Sequence, residues 1–273
     1  MPGTLPLAPF QTVYLYGPVI RSDLRLALEA ADAADAVTLS HFRSTGLRVE
    51  TKPDLTPVTE ADRAAELAVR QVFEKAHPND AIAGEEFGET GTSKRRWIID
   101  PIDVTVNYMR GVPIWATLIA LEDAGDITVG VVSAPAVGHR WWAARGLGAF
   151  RNGSPMQVSN VDSIEEATLS FNSLVNHEEH GIGEEAARLS RRCLRTRGYG
   201  DFLSFMFLAD GGVDIVTEPI AMEWDLAPLD IIVTEAGGRF TDLNGARTIR
   251  GGNAVATNGL LHEEVLEALG VRR

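Results

Sequence analysis

Trp97-Ile-Ile-Asp-Pro-Ile-Asp-Val-Thr105 is the most informative stretch of this chain. Its apolar first half is typical of a short buried strand, and the carboxylates Asp100 and Asp103 follow directly. In open α/β sheets, ligands bind at the carboxyl ends of strands. Two carboxylates this close repel each other unless a cation or a proton lies between them. The pair therefore indicates either a metal site or a turn in which one carboxylate caps a helix over residues 104–110.

Outward from this stretch, the pattern predicts a mixed α/β (α+β) layered architecture, with hairpins early and strand–helix alternation later. Helices are predicted over 23–42, from 59 to the proline at 78, and over 201–209, 226–236 and 263–269. Strands are predicted over 81–84, 97–99, 114–121, 127–133, 140–143, 149–158, 167–171, 213–217 and 254–257. Residues 1–20 contain four prolines and no charged side chain, which predicts an extended N-terminal arm before a single domain over 21–273.

The composition excludes some functions. The chain has 273 residues and a formal net charge of −13, which argues against a nucleic-acid binder but could supply oxygen ligands for Mg²⁺ or Ca²⁺. A single cysteine, Cys193, excludes an intramolecular disulfide and favours a cytoplasmic location. No run of about 18 apolar residues is present, so we expect no membrane span.

Three more acidic motifs stand beside predicted elements. Gly84-Glu85-Glu86 follows a short strand, Trp224-Asp225 opens a helix, and Asp62 falls in the first turn of another helix. Each has an ordinary explanation when taken alone. The paired glutamates could be a solvated face, Asp225 an N-cap with Pro228 in the first turn, and Asp62 an acid that favours the helix dipole.

Together these motifs resemble the inositol monophosphatase family of Mg²⁺-dependent phosphatases, over about residues 23–270. The matching segments are Gly84-Glu85-Glu86, Asp100-Pro-Ile-Asp103-Val104-Thr105, and Trp224-Asp225 through Glu235-Ala-Gly-Gly238. Three further segments resemble the histidinol-phosphate phosphatase branch of that family: Lys52-Pro-Asp-Leu-Thr-Pro-Val-Thr59, Arg110-Gly-Val-Pro-Ile-Trp-Ala116 and Tyr199-Gly-Asp-Phe202.

The resemblance implies a layered α-β-α-β-α sandwich and a site for up to three Mg²⁺ ions. The implied ligands are Glu85, Asp100 and the Ile102 carbonyl for the first ion, and Asp100, Asp103 and Asp225 for the second, with Glu85 also facing the third. The implied catalytic residues are Asp62 and Thr105, which would position a metal-activated water, and Glu85, which would help to deprotonate it.

The resemblance also implies which residues face the substrate. The implied set is Val104, Thr105, Gly200, Asp201 and Glu218. Histidinol phosphate carries an ammonium and an imidazole group, for which Asp201 and Glu218 are the candidate partners. The alternative is that both are surface acids, or that Asp201 is a helix N-cap.

One departure from the family pattern is serious. The family glycine after the second aspartate is Val104 here, and the usual basic or polar residue two positions later is Val106. A β-branched side chain at that point should crowd the loop that faces phosphate. The milder departure, Pro228, should fit a first helical turn.

Three functions stay open from the sequence. The first is a Mg²⁺-dependent histidinol-phosphatase of histidine biosynthesis. The second is a phosphatase for inositol-1-phosphate or another sugar phosphate, and the third is a catalytically impaired relative that binds a phosphate ligand. The resemblance implies a homodimer acting on a small phosphate ester, and the net charge and the lack of a long apolar run predict no nucleic-acid or membrane partners.

Two other motifs are weaker candidates for a functional role. His177-Glu-Glu-His180 lacks the i, i+4 spacing of a helical zinc site and predicts a polar loop. The basic stretch over residues 188–197 predicts a solvated helix face, or an anion contact at a subunit interface.

Overall fold

The computed structural model describes residues 18–53 and 55–271. The helices are α1 Pro18–His41, α2 Glu60–Ala76, α3 Thr105–Met109, α4 Leu174–Glu179, α5 Gly183–Arg192, α6 Asp201–Ala209, α7 Glu223–Glu235 and α8 His262–Ala268. The strands are β1 Val49–Thr51, β2 Pro57–Thr59, β3 Ala81–Gly84, β4 Gly88–Thr90, β5 Arg95–Asp103, β6 Ala116–Asp123, β7 Asp126–Ala134, β8 His139–Ala144, β9 Gly148–Arg151, β10 Ser154–Met156, β11 Thr168–Phe171, β12 Arg195–Arg197, β13 Ile215–Glu218, β14 Arg239–Thr241 and β15 Ala254–Thr257.

The larger sheet has eight strands in the order β10-β9-β8-β7-β6-β5-β3-β4. Helices α1 and α2 cover one face, where Phe73 stacks on Trp97 with ring centroids 4.0 Å apart. Helix α7 crosses the other face at Gly130, where a Cβ atom would lie 2.5 Å from the Ile231 side chain and 2.9 Å from the Pro228 carbonyl. Only glycine allows α7 to approach the sheet this closely.

The smaller sheet has five strands in the order β12-β11-β13-β15-β14. Helices α6 and α7 lie between the two sheets, and the largest apolar cluster of the described residues fills this space. Helices α5 and α8 cover the outer face of the smaller sheet, around Leu189 and Val265. The layers therefore run α-β-α-β-α, which confirms the predicted sandwich.

Most predicted elements are present, several with the predicted ends. Strand β3, helix α6 and strand β15 begin and end as expected, and the Asn152-Gly153 turn joins β9 to β10 with positive φ at both residues. Helix α1 begins at Pro18, inside the predicted arm, and residues 1–17 lie outside the described residues. In the described parts of the chain, no helix is both long and apolar enough to cross a membrane.

Two predictions from local sequence are wrong. The stretch predicted as a polar loop at 177–180 belongs largely to α4, because the Ser173 hydroxyl caps that helix and buried His177 contacts Thr217 at 2.9 Å. The basic stretch does not form one helix face, because α5 ends at Arg192 and the chain continues into β12. Arg192 itself pairs with Glu165 and Glu264.

The third correction concerns α7. The helix begins at Glu223, not at residue 226, because the Asp225 carboxylate accepts a hydrogen bond from the Met222 N–H at 2.7 Å and so caps the earlier turn. Pro228 is consequently the sixth helical residue and does not lie in the first turn. A proline there removes one backbone hydrogen bond of the helix.

Candidate active site

A β-bulge brings the two carboxylates of β5 together. Asp100 lies opposite Leu118 and Asp103 opposite Ala116, so three steps along β5 match two steps along β6. Residues three apart in a regular strand point to opposite faces, and one extra residue reverses that parity. The Ile102 N–H stabilises the bulge by donating to Asp100 Oδ1 at 3.0 Å.

Asp225 joins this pair from the amino end of α7. Carboxylate oxygens of Asp100, Asp103 and Asp225 all lie within 4.8 Å of one another. The buried guanidinium of Arg96 holds this end of the helix to the sheet, because its Nη2 donates to Glu223 at 2.8 Å and its Nε to Glu122 at 3.0 Å. The cluster thus depends on two elements more than 120 residues apart in sequence.

Glu85 approaches the cluster from the turn after β3. Its backbone N–H donates to the Ile99 carbonyl at 3.1 Å, and its carboxyl group lies near enough to Asp100 to raise the pKa of that residue. The Lys52 ammonium lies 2.7 Å from Glu85 Oε1 and 2.6 Å from Glu86 Oε1. Burial alone would lower the pKa of Lys52, but its hydrogen bonds to the two glutamates raise it well above its usual range.

Burial and mutual repulsion raise the pKa values of the cluster. Burial, followed by the charges of Glu85, Asp103 and Asp225, raises the pKa of Asp100 well above its usual range. Burial, followed by Asp201 and Asp225, does the same to the pKa of Asp103. Burial raises the pKa of Asp225 to about 7. These carboxylates can all be ionised at neutral pH only if a cation compensates for their charge.

Asp62 and Thr105 form a second arrangement beside the cluster. Asp62 is fully buried, and its Oδ2 accepts from the Thr59 N–H at 2.8 Å and from the Thr59 hydroxyl at 2.5 Å. The Thr105 hydroxyl lies 3.2 Å from Asp62 Oδ1 and 3.1 Å from the Ile102 carbonyl, and it donates its single proton to one of them. Asp62 therefore both caps α2 and contacts Thr105. Burial raises the pKa of its carboxyl group.

Helix α6 brings the predicted substrate-facing residues to the same place. The Phe202 N–H donates to Asp103 Oδ2 at 3.2 Å, and the preceding Gly200 and Asp201 both have positive φ, +77° and +46°. Gly200 is the N-cap, so the alternative that Asp201 caps the helix is wrong. Burial raises the pKa of Asp201.

Glu218 lies at the end of β13 and faces the same space. It is only 5% exposed, so it is not a surface acid, and the Asn172 side-chain amide donates to it at 2.5 Å. Burial, followed by the charge of Asp201, raises the pKa of Glu218 well above its usual range. All the site residues predicted from the sequence thus lie around one acidic centre.

The sequence model of the inositol monophosphatase family matches residues 20–271. The chain belongs to this family. A histidinol-phosphatase of Mycobacterium tuberculosis is 53% identical over 253 residues, which cover 90% of this chain and 97% of that protein. A histidinol-phosphatase of Streptomyces coelicolor is 50% identical over 264 residues, covering 93% of this chain and 99% of the relative. The solved structure of a Thermotoga maritima IMPase superimposes with a TM-score of 0.82 at 33% identity, covering 91% of this chain and 97% of the other.

The residues of the cluster fit a hard divalent cation. Asp100, Asp103 and Asp225 offer only carboxylate oxygens, Glu85 is near enough to raise the pKa of Asp100, and the Ile102 carbonyl accepts from Thr105. Oxygen ligands of this kind suit Mg²⁺, whereas Zn²⁺ and copper sites commonly include histidine or cysteine. The arrangement can therefore hold a metal ion, which would compensate for the charge of the clustered carboxylates.

Val104 has a strained backbone in this family member. It precedes α3 with φ +65° and ψ +50°, which is the left-handed region. This left-handed conformation costs an L-residue roughly 1–2 kcal/mol, and a β-branched residue such as valine rarely adopts it. The family glycine would adopt this conformation without strain. The Val104 side chain also packs against the large apolar cluster between the two sheets, and this packing holds Val104 in place.

We expect Val104→Gly to increase Mg²⁺-dependent phosphate release by about 3- to 10-fold, equivalent to roughly 1 kcal/mol of activation free energy. The reason is that the substitution removes the Cβ from the loop that the family resemblance predicts to face phosphate. The free energy of unfolding should change little, because relief of strain is offset by lost packing and a more flexible unfolded chain. Steady-state kinetics and urea unfolding measure both. Val104→Ala keeps the Cβ at positive φ and should recover little activity. Unchanged activity in the glycine variant would refute the crowding argument.

Sequence reasoning did not assign a role to three charged residues around the site. Lys52 lies in a quoted motif, but nothing local shows that it reaches Glu85. Glu66 and Arg70 follow Asp62 at intervals of four residues. Asp62, Glu66 and Arg70 therefore all lie on the buried face of α2. For Glu66 and Arg70, the signal in the sequence is their charge at positions on the apolar face of an amphipathic helix.

Proposed function

We propose that this chain hydrolyses L-histidinol phosphate to L-histidinol and phosphate in a Mg²⁺-dependent reaction. The observation that supports hydrolysis is the convergence of Asp100, Asp103 and Asp225 beside the partly buried Asp62–Thr105 pair. The choice of substrate is supported by the two histidinol-phosphatases that match almost the whole chain at 50% and 53% identity.

Glu85, Asp100, Asp103, Asp225 and the Ile102 carbonyl would hold the metal, with up to three Mg²⁺ ions in the complete site. When bound, Mg²⁺ would acidify a water molecule and neutralise the charge of the phosphoryl group. The Thr105 hydroxyl would donate its proton to Asp62. The lone pairs of the Thr105 oxygen would then accept a hydrogen bond from the attacking water and orient it. The Thr59 cap holds Asp62 in place, and Glu85 would accept the proton that the water loses.

The two ends of the substrate would meet different surroundings. The phosphate would lie against the backbone of Val104 and Thr105, where α3 begins. The ammonium and imidazole groups of histidinol would lie near Gly200, Asp201 and Glu218. An ammonium beside Glu218 would favour its ionised form, which burial otherwise disfavours. Inositol is a neutral polyol and cannot supply this compensation.

The test is phosphate release from histidinol phosphate and from inositol-1-phosphate, each with Mg²⁺ and with EDTA. We expect a higher kcat/KM for histidinol phosphate and no release in EDTA. Glu218→Gln should lower kcat/KM more for histidinol phosphate than for inositol phosphate. A preference for inositol phosphate would overturn the substrate assignment only. Absence of release from every phosphomonoester would overturn the enzyme proposal and favour an impaired, phosphate-binding relative.

The raised pKa values predict how Mg²⁺ and pH act together on stability. Groups whose pKa is raised on folding stabilise the protein at low pH, and this contribution is lost as pH rises through the folded value. For Asp225 the window runs from its ordinary 3.8 to about 7. We therefore expect the melting temperature in EDTA to fall across this range, and Mg²⁺ to restore it. At 100 times its Kd, Mg²⁺ adds about 2.7 kcal/mol, or roughly 5–10 °C.

Thermal unfolding at pH 5 and pH 8, each with Mg²⁺ and with EDTA, measures this coupling. The difference between the two conditions should be larger at pH 8, because the cluster carboxylates are then more fully ionised and bind Mg²⁺ more tightly. Other titrating groups contribute equally to both curves and cancel from the difference. Asp225→Asn should reduce the pH dependence of that difference. An equal Mg²⁺ effect at both pH values would contradict the assignment of the cluster as the metal site.

We further propose that residues 21–273 act as a single phosphatase domain in a cytoplasmic homodimer without nucleic-acid or membrane partners. The family resemblance supports the dimer, and the single cysteine supports the compartment. Size-exclusion chromatography with light scattering tests the dimer, and a monomeric mass at micromolar concentration would contradict it.

A further inference from the structure

Glu66 is a buried carboxylate whose partners all belong to one turn of the chain or to its own helix. Its side chain has no exposed surface. Oε2 accepts from the Glu86 N–H at 2.7 Å, and Oε1 accepts from the Phe87 N–H at 3.3 Å. Oε1 also accepts from Arg70 Nε at 2.8 Å. Hydrogen bonds from backbone N–H groups to a carboxylate are among the stronger ones. Glu66 therefore holds the backbone directly after Glu85.

The close approach of this carboxylate explains the glycine before Glu85. A Cβ atom at Gly84 would lie only 1.9 Å from Glu66 Oε1. The φ of Gly84 is not in the left-handed region, so space rather than backbone conformation requires glycine here. The glycine of the Gly84-Glu85-Glu86 motif thus makes room for a side chain on α2.

Arg70 extends the same contact to the far end of the turn. Its Nη2 donates to the Gly88 carbonyl at 2.5 Å, and its Nη1 donates to Thr90 Oγ1 at 3.2 Å. The Glu66–Arg70 pair is almost fully buried, with 6% of the arginine side chain exposed. Together the two side chains fix both ends of the connection between β3 and β4.

We infer that Glu66 is a positioning residue for the metal site: it fixes the turn so that Glu85 faces Asp100 before any cation binds. The inference rests on the proposed metal site. Asp62 and Glu66 are one helical turn apart, so the same rigid helix positions Thr105 through one carboxylate and Glu85 through the other. Residues that orient metal ligands in this way affect metal affinity by about 10- to 100-fold when replaced.

The test is Glu66→Gln, which keeps the size of the side chain. Its amide has one acceptor oxygen and an NH₂ group, so the donors on Glu86, Phe87 and Arg70 can no longer all be satisfied. Isothermal titration calorimetry should show Mg²⁺ binding about 10- to 100-fold weaker than in the unaltered chain. At saturating Mg²⁺, the KM for histidinol phosphate should be unchanged. The matched control is Glu74→Gln, an exposed position of the same helix, which should leave Mg²⁺ affinity unchanged.

The outcomes separate this inference from the proposed function. Unchanged Mg²⁺ affinity in a folded Glu66→Gln variant would overturn the positioning role, whatever its melting temperature. Failure of the unaltered chain to bind Mg²⁺ would overturn the proposed metal site instead.

A second measurement needs no variant and so does not depend on its folding. Hydrogen exchange of the unaltered protein in EDTA should show the Glu86 and Phe87 amides protected, because both donate to Glu66 without a cation. If these amides exchanged as fast as an unstructured chain and became protected only with Mg²⁺, the metal and not Glu66 would order the turn. That result would overturn the inference.

Discussion

Replacement of Asp100 by Asn is expected to lower Mg²⁺-dependent phosphate release on the order of 10³-fold, corresponding to about 4 kcal/mol of activation free energy. Asp100 lies close to Asp103 and Asp225, and the charges of Glu85 and of these two residues all raise its pKa. An amide there supplies a neutral oxygen and an NH₂ group that repels a cation. Steady-state kinetics over a range of Mg²⁺ concentrations measures the loss.

The same substitution should have the opposite effect on stability when metal is removed. Burial and like charges raise the pKa of Asp100, so its ionised form opposes folding at neutral pH. Asp100→Asn should therefore melt at a higher temperature than the unaltered chain in EDTA and gain less from Mg²⁺. Asp123→Asn, in an exposed hairpin, is the matched control and should change neither property. Lower stability of Asp100→Asn in EDTA would contradict the electrostatic account of the cluster.

Asp62→Asn and Thr105→Ala are each expected to reduce kcat by roughly 10²- to 10³-fold, and the double variant by about the same factor. In the proposed arrangement the two side chains act as one unit, because donation from Thr105 to Asp62 fixes the hydroxyl so that its lone pairs face the attacking water. Residues that act together have strongly non-additive effects. A double-mutant cycle on kcat, with melting temperatures recorded in parallel, measures the coupling.

Thr128→Ala provides the matched control for this cycle. Its hydroxyl is also partly buried and donates to a carbonyl, that of Leu121 at 3.1 Å, but it lies on β7 away from the site. Its kcat should remain near that of the unaltered chain. If the losses for Asp62→Asn and Thr105→Ala multiplied in the double variant, the two residues would act independently and the proposed arrangement would be wrong.

Much of the fold could be predicted because its signals are local. Alternating apolar residues, turn glycines and helix caps reproduced α6, β3 and β15 at both ends. Errors arose where a distant contact changed the local preference. Buried His177 contacts Thr217, and this contact stabilises a polar stretch as part of α4. Arg96 donates to Glu223 and so holds the start of α7 to the sheet. Neither partner can be recognised from the neighbouring sequence.

For the candidate site too, some features could be predicted from the sequence and others could be seen only in the structure. Its residue types and order were recognisable because the acidic motifs, each ordinary when taken alone, together resemble the motif set of one family. The strained φ of Val104 agrees with the family's use of glycine, but a backbone angle cannot be read from the residue type alone. The roles of Lys52, Glu66 and Arg70 became visible only when side chains separated by up to 33 residues met around Glu85.

By itself, the sequence predicted a mixed, layered α/β architecture, because that depends on residue type, periodicity and turn residues. Its motifs also resembled one family, and that resemblance implied the acidic site. Only the tertiary structure decided that Asp100 and Asp103 share one side of β5, since a single extra residue in a bulge reverses the facing of every later side chain. It also decided that the carboxylates of α2 hold Thr105 and the Glu85 turn. Such contacts join distant residues through packing, and no local preference encodes them.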